Sequence, residues 1–353
     1  MFNKTIEING RKIGKEYPPY VIAEISGNHN GSIERAKKLV KLAKKNGADC
    51  VKIQTYSPDT MTIKSNKDDF LIKDGLWEGY NLWDLYDWAQ TPFEWQKELF
   101  EYARNIGITM ISTPFDETAV DLLESLSCPF YKVASFELTD LPLIKYIAQT
   151  KKPIILSTGM ANEDEIREAI NIVEKHGNGD FILLHCVSGY PTPIEQINLD
   201  TINLLKNTFN CNVGLSDHTI GNISAVSSVA FGVKVIEKHF TFSRAEGGPD
   251  AEFSMEPHEL KALCEDILLA YKAIGKKSFK RKKAEESNIK FRRSIYVVEN
   301  VKNGEIFTIK NIRRIRPGYG LAPKFFDEVI GKKAKIDIEK GTALDWSLID
   351  LSI

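Results

Sequence analysis

Short apolar segments alternate with longer amphipathic ones along most of the chain. The apolar segments are rich in β-branched residues, which is typical of buried parallel strands. Eight of them occur, at 20–25, 50–55, 108–113, 131–135, 153–158, 181–186, 212–217 and 233–240. Segments between them, such as SIERAKKLVKLAKKN and EDEIREAINIVEKH, repeat apolar residues with helical spacing. The pattern therefore predicts an α/β fold, a (β/α)8 TIM barrel, which usually spans about 250 residues.

An open, doubly wound sheet is the rival interpretation. It would carry a glycine-rich phosphate turn after an early strand, and EISGNHNGS does not fit G-x-G-x-x-G. The stretch after the second strand is long for a barrel loop and holds Trp77, Trp83 and Trp88. We predict that this insertion covers the substrate.

The composition changes after the eighth strand and its helix. We predict a barrel domain at 1–280, a charged, solvated linker at 281–293 and a second domain at 294–353. The two halves of the last segment share a strand, a turn with lysine and glycine, and another strand, which predicts a small β-rich unit. A unit of this size buries little surface, so we expect it to pack on the barrel or on a partner subunit.

Charge and cysteine content exclude several classes of protein. Lys and Arg number 47 against 48 Asp and Glu, so no basic excess favours nucleic acid or an anionic membrane. No targeting segment or long apolar run is present, which predicts a cytoplasmic protein. The five cysteines are scattered without a C-x-x-C motif, which predicts reduced thiols. Small molecules are the expected partners.

Polar residues follow all eight predicted strands, on the face where TIM barrels carry their active sites. They include Glu24, Asn28, His29, Lys52, Gln54, Ser112, Thr113, Lys132, Ser135, Glu137, Ser157, Thr158, His185, Ser188, Ser216, Asp217, His218, Lys238 and His239. This distribution predicts an enzyme, since a structural barrel needs no such set.

Three chemical groups can be separated within this set. Lys52, Lys132 and Lys238, with the nearby hydroxyl groups, suit an anion that carries phosphate and carboxylate. His218 and His239 end neighbouring strands and could bind one divalent ion such as Mn²⁺ with water, or they could be hydrogen-bonded structural histidines. Two glutamates, Glu24 and Glu137, could act as acid or base, or they could form salt bridges.

The motifs AEISGNHNGS, VKIQTY, ISTPFD, YKVASFE, ILSTGM, YPTP, GLSDHT, EKHF and GGPDAEFSMEP together resemble the sialic acid synthase family. Its members condense phosphoenolpyruvate with a hexosamine-type sugar. The tail with RIRPGYGLAPKF resembles the antifreeze-like (SAF) domain of that family. DFLIKDGLW, TPFEW, the dipeptide Phe136-Glu137 and GGPDAEFSMEP are most similar to the pseudaminic acid synthase branch, with the N-acetylneuraminate and legionaminic acid branches as alternatives.

The resemblance implies a role for each matching residue. It implies that His218 and His239 bind a divalent metal, Mn²⁺ with Mg²⁺ or Co²⁺ as alternatives. It implies phosphoenolpyruvate contacts from Lys52, Thr113, Lys132, Ser135, Ser157 and Ser216. Sugar binding or activation would fall to Glu24, Gln54, Glu137, Tyr190 and Asp250. Arg316 would reach into the other barrel of a domain-swapped homodimer. Ser188-Gly189 departs from the family pattern, and neither residue is assigned a role.

The branch resemblance implies 2,4-diacetamido-2,4,6-trideoxy-L-altrose as the sugar. Two hypotheses from other classes stay open. A metal-dependent lyase or aldolase would need no phosphate-binding set, and phosphate release separates it from a synthase. A C-terminal module that binds ice or polysaccharide would need a flat exposed face, which VKNGEIFTIKNIRR does not suggest.

Overall fold

The computed structural model describes residues 5–351, and eight parallel strands form its central sheet. Two short antiparallel strands, β1 (Ile6–Ile8) and β2 (Arg11–Ile13), precede them. The eight are β3 (Tyr20–Glu24), β4 (Cys50–Thr55), β5 (Thr109–Pro114), β6 (Tyr131–Val133), β7 (Ile154–Ser157), β8 (Phe181–Cys186), β9 (Asn212–Asp217) and β10 (Val235–His239). They pair in the order β5-β4-β3-β10-β9-β8-β7-β6, and β5 lies beside β6. The predicted barrel is confirmed.

Helices alternate with the strands and cover the outside of the barrel. They are α1 (Ile33–Lys45), α2 (Pro58–Met61), α3 (Leu82–Ala89), α4 (Phe93–Ile106), α5 (Glu117–Ser125), α6 (Leu141–Gln149), α7 (Glu163–His176), α8 (Thr201–Phe209), α9 (Ile223–Ser228) and α10 (Pro257–Ile274). In α1, Ala36, Leu39 and Ala43 recur with helical spacing and are buried. Ser32 caps this helix by accepting the Arg35 backbone N–H.

Within residues 5–351, every helix is too short or too polar to cross a membrane.

The hairpin of β1 and β2 covers the amino-terminal end of the barrel. Its turn residues Asn9 and Gly10 have φ of 47° and 76°, as a two-residue turn of this type requires. The Asn9 side chain donates to Thr109 Oγ1, at the start of β5, over 3.3 Å. The hairpin isoleucines, such as Ile6 and Ile13, are buried in the barrel core. No element was predicted here, although Asn-Gly between apolar residues is a strong hairpin signal.

The long insertion between β4 and α4 has its own secondary structure. It contains α2, a short 3₁₀ turn at Asp68–Phe70, and α3. Leu71 and Asn81 pair in an antiparallel bridge, and the Asn81 side chain donates to the Ser65 carbonyl over 2.6 Å. These bonds hold the segment around Trp77 in a defined turn.

A second compact unit begins at Lys276, and the first ends at Gly275. The second unit contains two antiparallel strand pairs and one short helix. The strands β11 (Ser294–Val297) and β12 (Ile312–Ile315) form the first pair, and β13 (Lys333–Ala334) and β14 (Ile349–Asp350) form the second. The helix is α11 (Phe326–Val329). A separate apolar core forms inside it around residues such as Phe307 and Leu344. The predicted linker at 281–293 and the domain boundaries that it defines stay predictions.

Candidate active site

Two lysines and two glutamates are buried together at the carboxyl ends of β3, β4, β6 and β10. The parallel register places Glu24 beside Lys52 and beside His239. Lys52 Nζ lies 2.5 Å from Glu24 Oε2 and 3.7 Å from Glu237 Oε1. Lys132 Nζ lies 3.8 Å from the same Glu237 oxygen. All four charged side chains are at most 5% exposed, so their charges are balanced by each other rather than by water.

Glu237 is a site residue that the sequence analysis did not single out. It lies between both lysines, and its Oε1 accepts a hydrogen bond from Ser216 Oγ over 3.3 Å. A strand points alternate side chains to one face, so Glu237 lies on the same face of β10 as His239. In the segment VKVIEKHF, Glu237 is two residues before His239, and this spacing would have identified Glu237 as a site residue.

Hydroxyl groups line the same end of the barrel. Thr113 Oγ1 accepts a hydrogen bond from Lys52 Nζ over 3.0 Å. Ser135 Oγ accepts the Gly159 backbone N–H over 3.1 Å. Ser157 Oγ is buried and has no hydrogen-bond partner within residues 5–351. A buried hydroxyl group is normally paired, so Ser157 is free to bind a ligand. With Lys52 and Lys132, these hydroxyl groups and Ser216 form what we call the anion site.

The three carboxyl groups near the anion site differ in their pKa. Burial raises the pKa of Glu24, although Lys52 opposes the shift. Burial likewise raises the pKa of Glu137 to about 7, against the charge of Lys132. Burial alone would raise the pKa of Glu237, but the two lysines hold it below its ordinary value. Two carboxyl groups can therefore exchange protons near neutral pH while Glu237 stays ionised.

His218 and His239 lie side by side, with ring centroids 5.4 Å apart. His239 Nδ1 is buried without a hydrogen-bond partner among the described residues and lies 4.0 Å from Asp250 Oδ2. Burial keeps the pKa of His239 well below its ordinary value, so its ring is neutral and has a free lone pair. His218 Nδ1 donates to the Val187 carbonyl over 3.0 Å. This arrangement fits the ligands of a divalent ion.

A protein-only metal site is absent from the part of the chain that the structure describes. No group of three or more His, Cys, Asp or Glu side chains there could hold an ion. Two imidazoles would therefore leave most coordination positions to water and substrate, which is the property of an open, catalytic site.

Lys238 does not join the anion site, and its predicted place there is wrong. Its Nζ lies 2.9 Å from Asp217 Oδ2 and also donates to the Thr219 carbonyl. Strand alternation turns Lys238 to the face of β10 opposite Glu237 and His239. Its charge is already paired, and the ion pair instead joins the strand ends that carry the two histidines.

The loops after β3 and β10 are joined and place Asp250. Asp250 Oδ2 accepts a hydrogen bond from Ser26 Oγ, and Asn28 Nδ2 donates to Ser254 Oγ over 2.8 Å. At Gly27 any Cβ would collide with Pro249, so only glycine permits this close approach. Asp250 therefore reaches the histidine pair from a fixed loop.

Three aromatic rings from three different loops surround the histidine pair. Tyr190 lies over His218 with ring centroids 4.5 Å apart, and Phe253 lies 4.8 Å from His239. Trp77, from the insertion after β4, lies 5.5 Å from Tyr190. We call Trp77, Tyr190 and Phe253 the aromatic wall. The insertion thus contacts the site, and its role in covering the substrate stays a prediction.

The three tryptophans of the insertion are not equivalent. The indole N–H of Trp77 donates to the Pro249 carbonyl over 2.7 Å, next to Asp250. Trp88 instead stacks on Tyr80, with centroids 5.7 Å apart and the rings nearly parallel. Only the first of these two tryptophans contributes to the surroundings of the histidine pair.

Ser188 and Cys186, which carried no predicted role, also lie in the site. A Cβ on Gly159 would collide with Ser188 Oγ, which shows how closely the loops after β7 and β8 approach. Cys186 Sγ lies 3.9 Å from His218 Nδ1. Burial opposes ionisation of this thiol, but the neighbouring His218 lowers its pKa to about 7. All five cysteines are unpaired, as expected.

The structure brings most of the predicted site residues to one end of the barrel. Gln54 is half-buried and lies on the same face of β4 as Lys52. Glu137 follows β6 in the 3₁₀ turn Ser135–Glu137. Arg316 is exposed and follows β12 in the second unit, so its role stays a prediction.

Comparison with known proteins identifies relatives along nearly the whole chain. Residues 39–279 match the NeuB family, and residues 292–350 match the SAF domain. The chain is 45% identical to the pseudaminic acid synthase of Campylobacter jejuni over 328 residues, which cover 93% of this chain and 96% of that protein. It is 40% identical to the N,N'-diacetyllegionaminic acid synthase of Campylobacter jejuni over 318 residues, covering 89% and 95%. A solved N-acetylneuraminic acid synthetase from Leptospira borgpetersenii superposes with a TM-score of 0.74 at 30% identity, covering 82% and 96%.

Proposed function

The chain belongs to the NeuB family, and we propose that within it this enzyme condenses phosphoenolpyruvate with 2,4-diacetamido-2,4,6-trideoxy-L-altrose to give pseudaminic acid and phosphate. The resemblance to the sialic acid synthases and the C-terminal SAF domain are confirmed. The enzyme is a transferase that forms a C–C bond with phosphoenolpyruvate. The cytoplasmic location rests on the sequence alone.

One observation carries the reaction class. Two buried ammonium groups and the unpaired Ser157 hydroxyl lie at the same barrel end as a pair of imidazoles. A synthase of this class must hold an anionic three-carbon substrate and a sugar carbonyl together, and the site supplies a place for each. A metal-dependent aldolase would need the histidines but not the anion site. The identity of 45% to a pseudaminic acid synthase, against 40% and 30% to the other two synthases, favours the altrose sugar.

Synthases of this family generally depend on a metal ion. We assign its binding to His218 and His239, and we propose Mn²⁺, with Mg²⁺ or Co²⁺ as alternatives. When bound, the ion supplies Lewis-acid polarisation of the open-chain sugar aldehyde. Asp250 and Tyr190 would then orient the sugar beside it.

The residues of the chain account for the remaining steps. Lys52 and Lys132 hold the phosphate and carboxylate of phosphoenolpyruvate, whose C3 forms the new bond to the aldehyde carbon. Positive charge then develops at C2, where the ionised Glu237 stabilises it. A water molecule adds to C2 and gives a proton to the ionised one of Glu24 and Glu137, whose raised pKa values suit proton transfer. The protonated one of the two gives its proton to the former aldehyde oxygen, which becomes a hydroxyl group. Breaking the bond between C2 and the phosphate oxygen then releases phosphate, which takes the proton of the C2 hydroxyl group as that group becomes the keto group.

The substrate assignment is tested with a panel of sugars at fixed phosphoenolpyruvate and Mn²⁺. We expect kcat/KM for the altrose to exceed that for N-acetylmannosamine by about 100-fold or more, since one or two mismatched polar groups suffice for such a ratio. The corresponding legionaminic acid precursor should lie between them. Phosphate release and mass spectrometry of the product give the rates and identify the sugar acid. If N-acetylmannosamine is the best substrate, the proposed sugar is wrong although the reaction class stands.

We also propose that Arg316 completes the site of the other subunit in a domain-swapped homodimer. Its exposure in a small C-terminal unit and the family resemblance support this proposal. Mixing inactive Glu24→Gln protein with inactive Arg316→Ala protein should restore activity after subunit exchange. Half of the dimers are then mixed, and one of their two sites is intact, so about a quarter of wild-type activity is expected.

Each variant alone is the control for this mixing experiment. Native mass spectrometry, with one variant isotopically labelled, measures the mixed dimers directly. Mixed dimers without recovered activity would place Arg316 in its own subunit or outside the mechanism.

A further inference from the structure

We propose that Trp77 selects the sugar by receiving its C6 methyl group against the aromatic wall, so that a sugar with a hydroxyl group at C6 is rejected. This inference rests on the proposed function and deepens it. The wall consists of Trp77, Tyr190 and Phe253, as defined above, and lies beside the histidine pair.

The wall lies where the far end of the sugar must be. The aldehyde carbon has to approach the histidines, because bond formation takes place there. Tyr190 contacts His218 directly, whereas Trp77 is one ring further out, in contact with Tyr190. An open-chain sugar that starts at the histidines and runs along Tyr190 therefore brings its last carbon atoms toward Trp77.

The wall presents apolar surface there, and the indole N–H of Trp77 is already occupied. The indole N–H of Trp77 donates to the Pro249 carbonyl over 2.7 Å. Burial raises the pKa of the Tyr190 hydroxyl, and the neighbouring Ser188 opposes the shift. Phe253 has no polar side-chain atom and is buried. A hydroxyl group placed against these rings loses its water without gaining a partner, whereas a methyl group gains contact area.

Trp77 is held in place before the sugar arrives. Its hydrogen bond to Pro249 ties it to the loop that carries Asp250. On its own segment, the bridge between Leu71 and Asn81 closes the turn that contains it. A preorganised apolar surface discriminates better than one that can move away to admit water. We therefore expect the wild-type enzyme to prefer the 6-deoxy sugar by about 10- to 100-fold in kcat/KM.

The test uses two sugars that differ at one position, 2,4-diacetamido-2,4,6-trideoxy-L-altrose and its 6-hydroxy analogue. We expect Trp77→Ala to reduce the preference for the 6-deoxy sugar to within about threefold, mainly through KM for that sugar. Trp77→Phe keeps an aromatic ring and should retain most of the preference. Trp88→Ala, in the same insertion but stacked on Tyr80, is the matched control and should behave as wild type. Calorimetric Mn²⁺ affinity should be unchanged in all three variants, and Trp77→Ala and Trp77→Phe, which both lose the hydrogen bond to Pro249, should show a lower melting temperature than wild type.

Each outcome separates this inference from the proposed function. If the wild type prefers the 6-deoxy sugar and Trp77→Ala keeps the full preference, Trp77 does not select the sugar. If Trp77→Phe loses as much preference as Trp77→Ala, the hydrogen bond to Pro249 is decisive and the methyl contact is refuted. Equal kcat/KM of the wild type for the two altrose sugars also refutes the selection of the methyl group. Activity with N-acetylmannosamine alone would overturn the proposed function itself.

Discussion

Replacing Lys132 with Met is expected to lower kcat/KM for phosphoenolpyruvate by about 30-fold to several thousand-fold. The Lys132 ammonium group is buried and lies 3.8 Å from Glu237. Without this group, Lys52 is the only lysine that balances the charge of Glu237, and part of the negative charge of phosphoenolpyruvate has no cation beside it. Breaking a buried charge pair costs about 2–5 kcal/mol, and every 1.4 kcal/mol is about tenfold. Steady-state kinetics at saturating sugar and Mn²⁺ measure the effect.

Lys238→Met is the matched control, because Lys238 is an equally buried lysine that lies four strands away from Lys132 in the barrel and pairs with Asp217 instead of Glu237. It should lower the free energy of unfolding by about 3–5 kcal/mol, since Asp217 is left buried without its cation. KM for phosphoenolpyruvate of the folded protein should change by less than about threefold. Wild-type kcat/KM in folded Lys132→Met protein would remove this lysine from the anion site.

Replacing either His218 or His239 with Ala is expected to abolish turnover while leaving the fold intact. Both imidazoles lie at the ends of adjacent strands, and the rest of the described chain offers no larger cluster of metal ligands. Loss of one of two protein ligands removes the metal and with it the polarisation of the aldehyde. Calorimetric titration of Mn²⁺ into each variant should show little or no binding.

His185→Ala is the control for a buried histidine outside the pair. His185 Nε2 lies 2.6 Å from the Ile197 carbonyl, so its substitution should lower stability by about 1–3 kcal/mol without weakening Mn²⁺ binding. Wild-type Mn²⁺ affinity in His218→Ala or His239→Ala would contradict the metal assignment.

Most of the barrel could be predicted because its signal is local. The segment 50–55 is apolar, β-branched and bounded by helical periodicity, and it forms β4 over the same residues. The shorter β6 ends at Val133, two residues before the predicted segment ends, because the chain then turns into the 3₁₀ turn Ser135–Glu137. Strand ends depend on tertiary hydrogen bonds, which the local pattern does not contain.

The site was harder to predict, since it depends on which face of a strand each side chain occupies. Lys238 and Glu237 are adjacent in sequence, yet one pairs with Asp217 outside the anion site and the other joins it. Residue type alone favoured Lys238 as the residue that binds the anion. Only the alternation of side chains along the strand shows which of the two residues faces the anion site. The contact of Trp77 with Tyr190 joins positions far apart in sequence, so no local pattern distinguished Trp77 from Trp88.

The crowding of carboxyl groups around the anion site couples substrate binding to proton uptake. Phosphoenolpyruvate brings further negative charge close to Glu24 and Glu137, whose pKa values burial has already raised. The incoming anion raises them again, so the complex holds more protons than the free enzyme does. By linkage, affinity for phosphoenolpyruvate declines as pH rises through about 7, the pKa of Glu137 in the free enzyme. The proton taken up with the first substrate is then already in the site, so one of these carboxyl groups can protonate the former aldehyde oxygen while the other accepts a proton from the water.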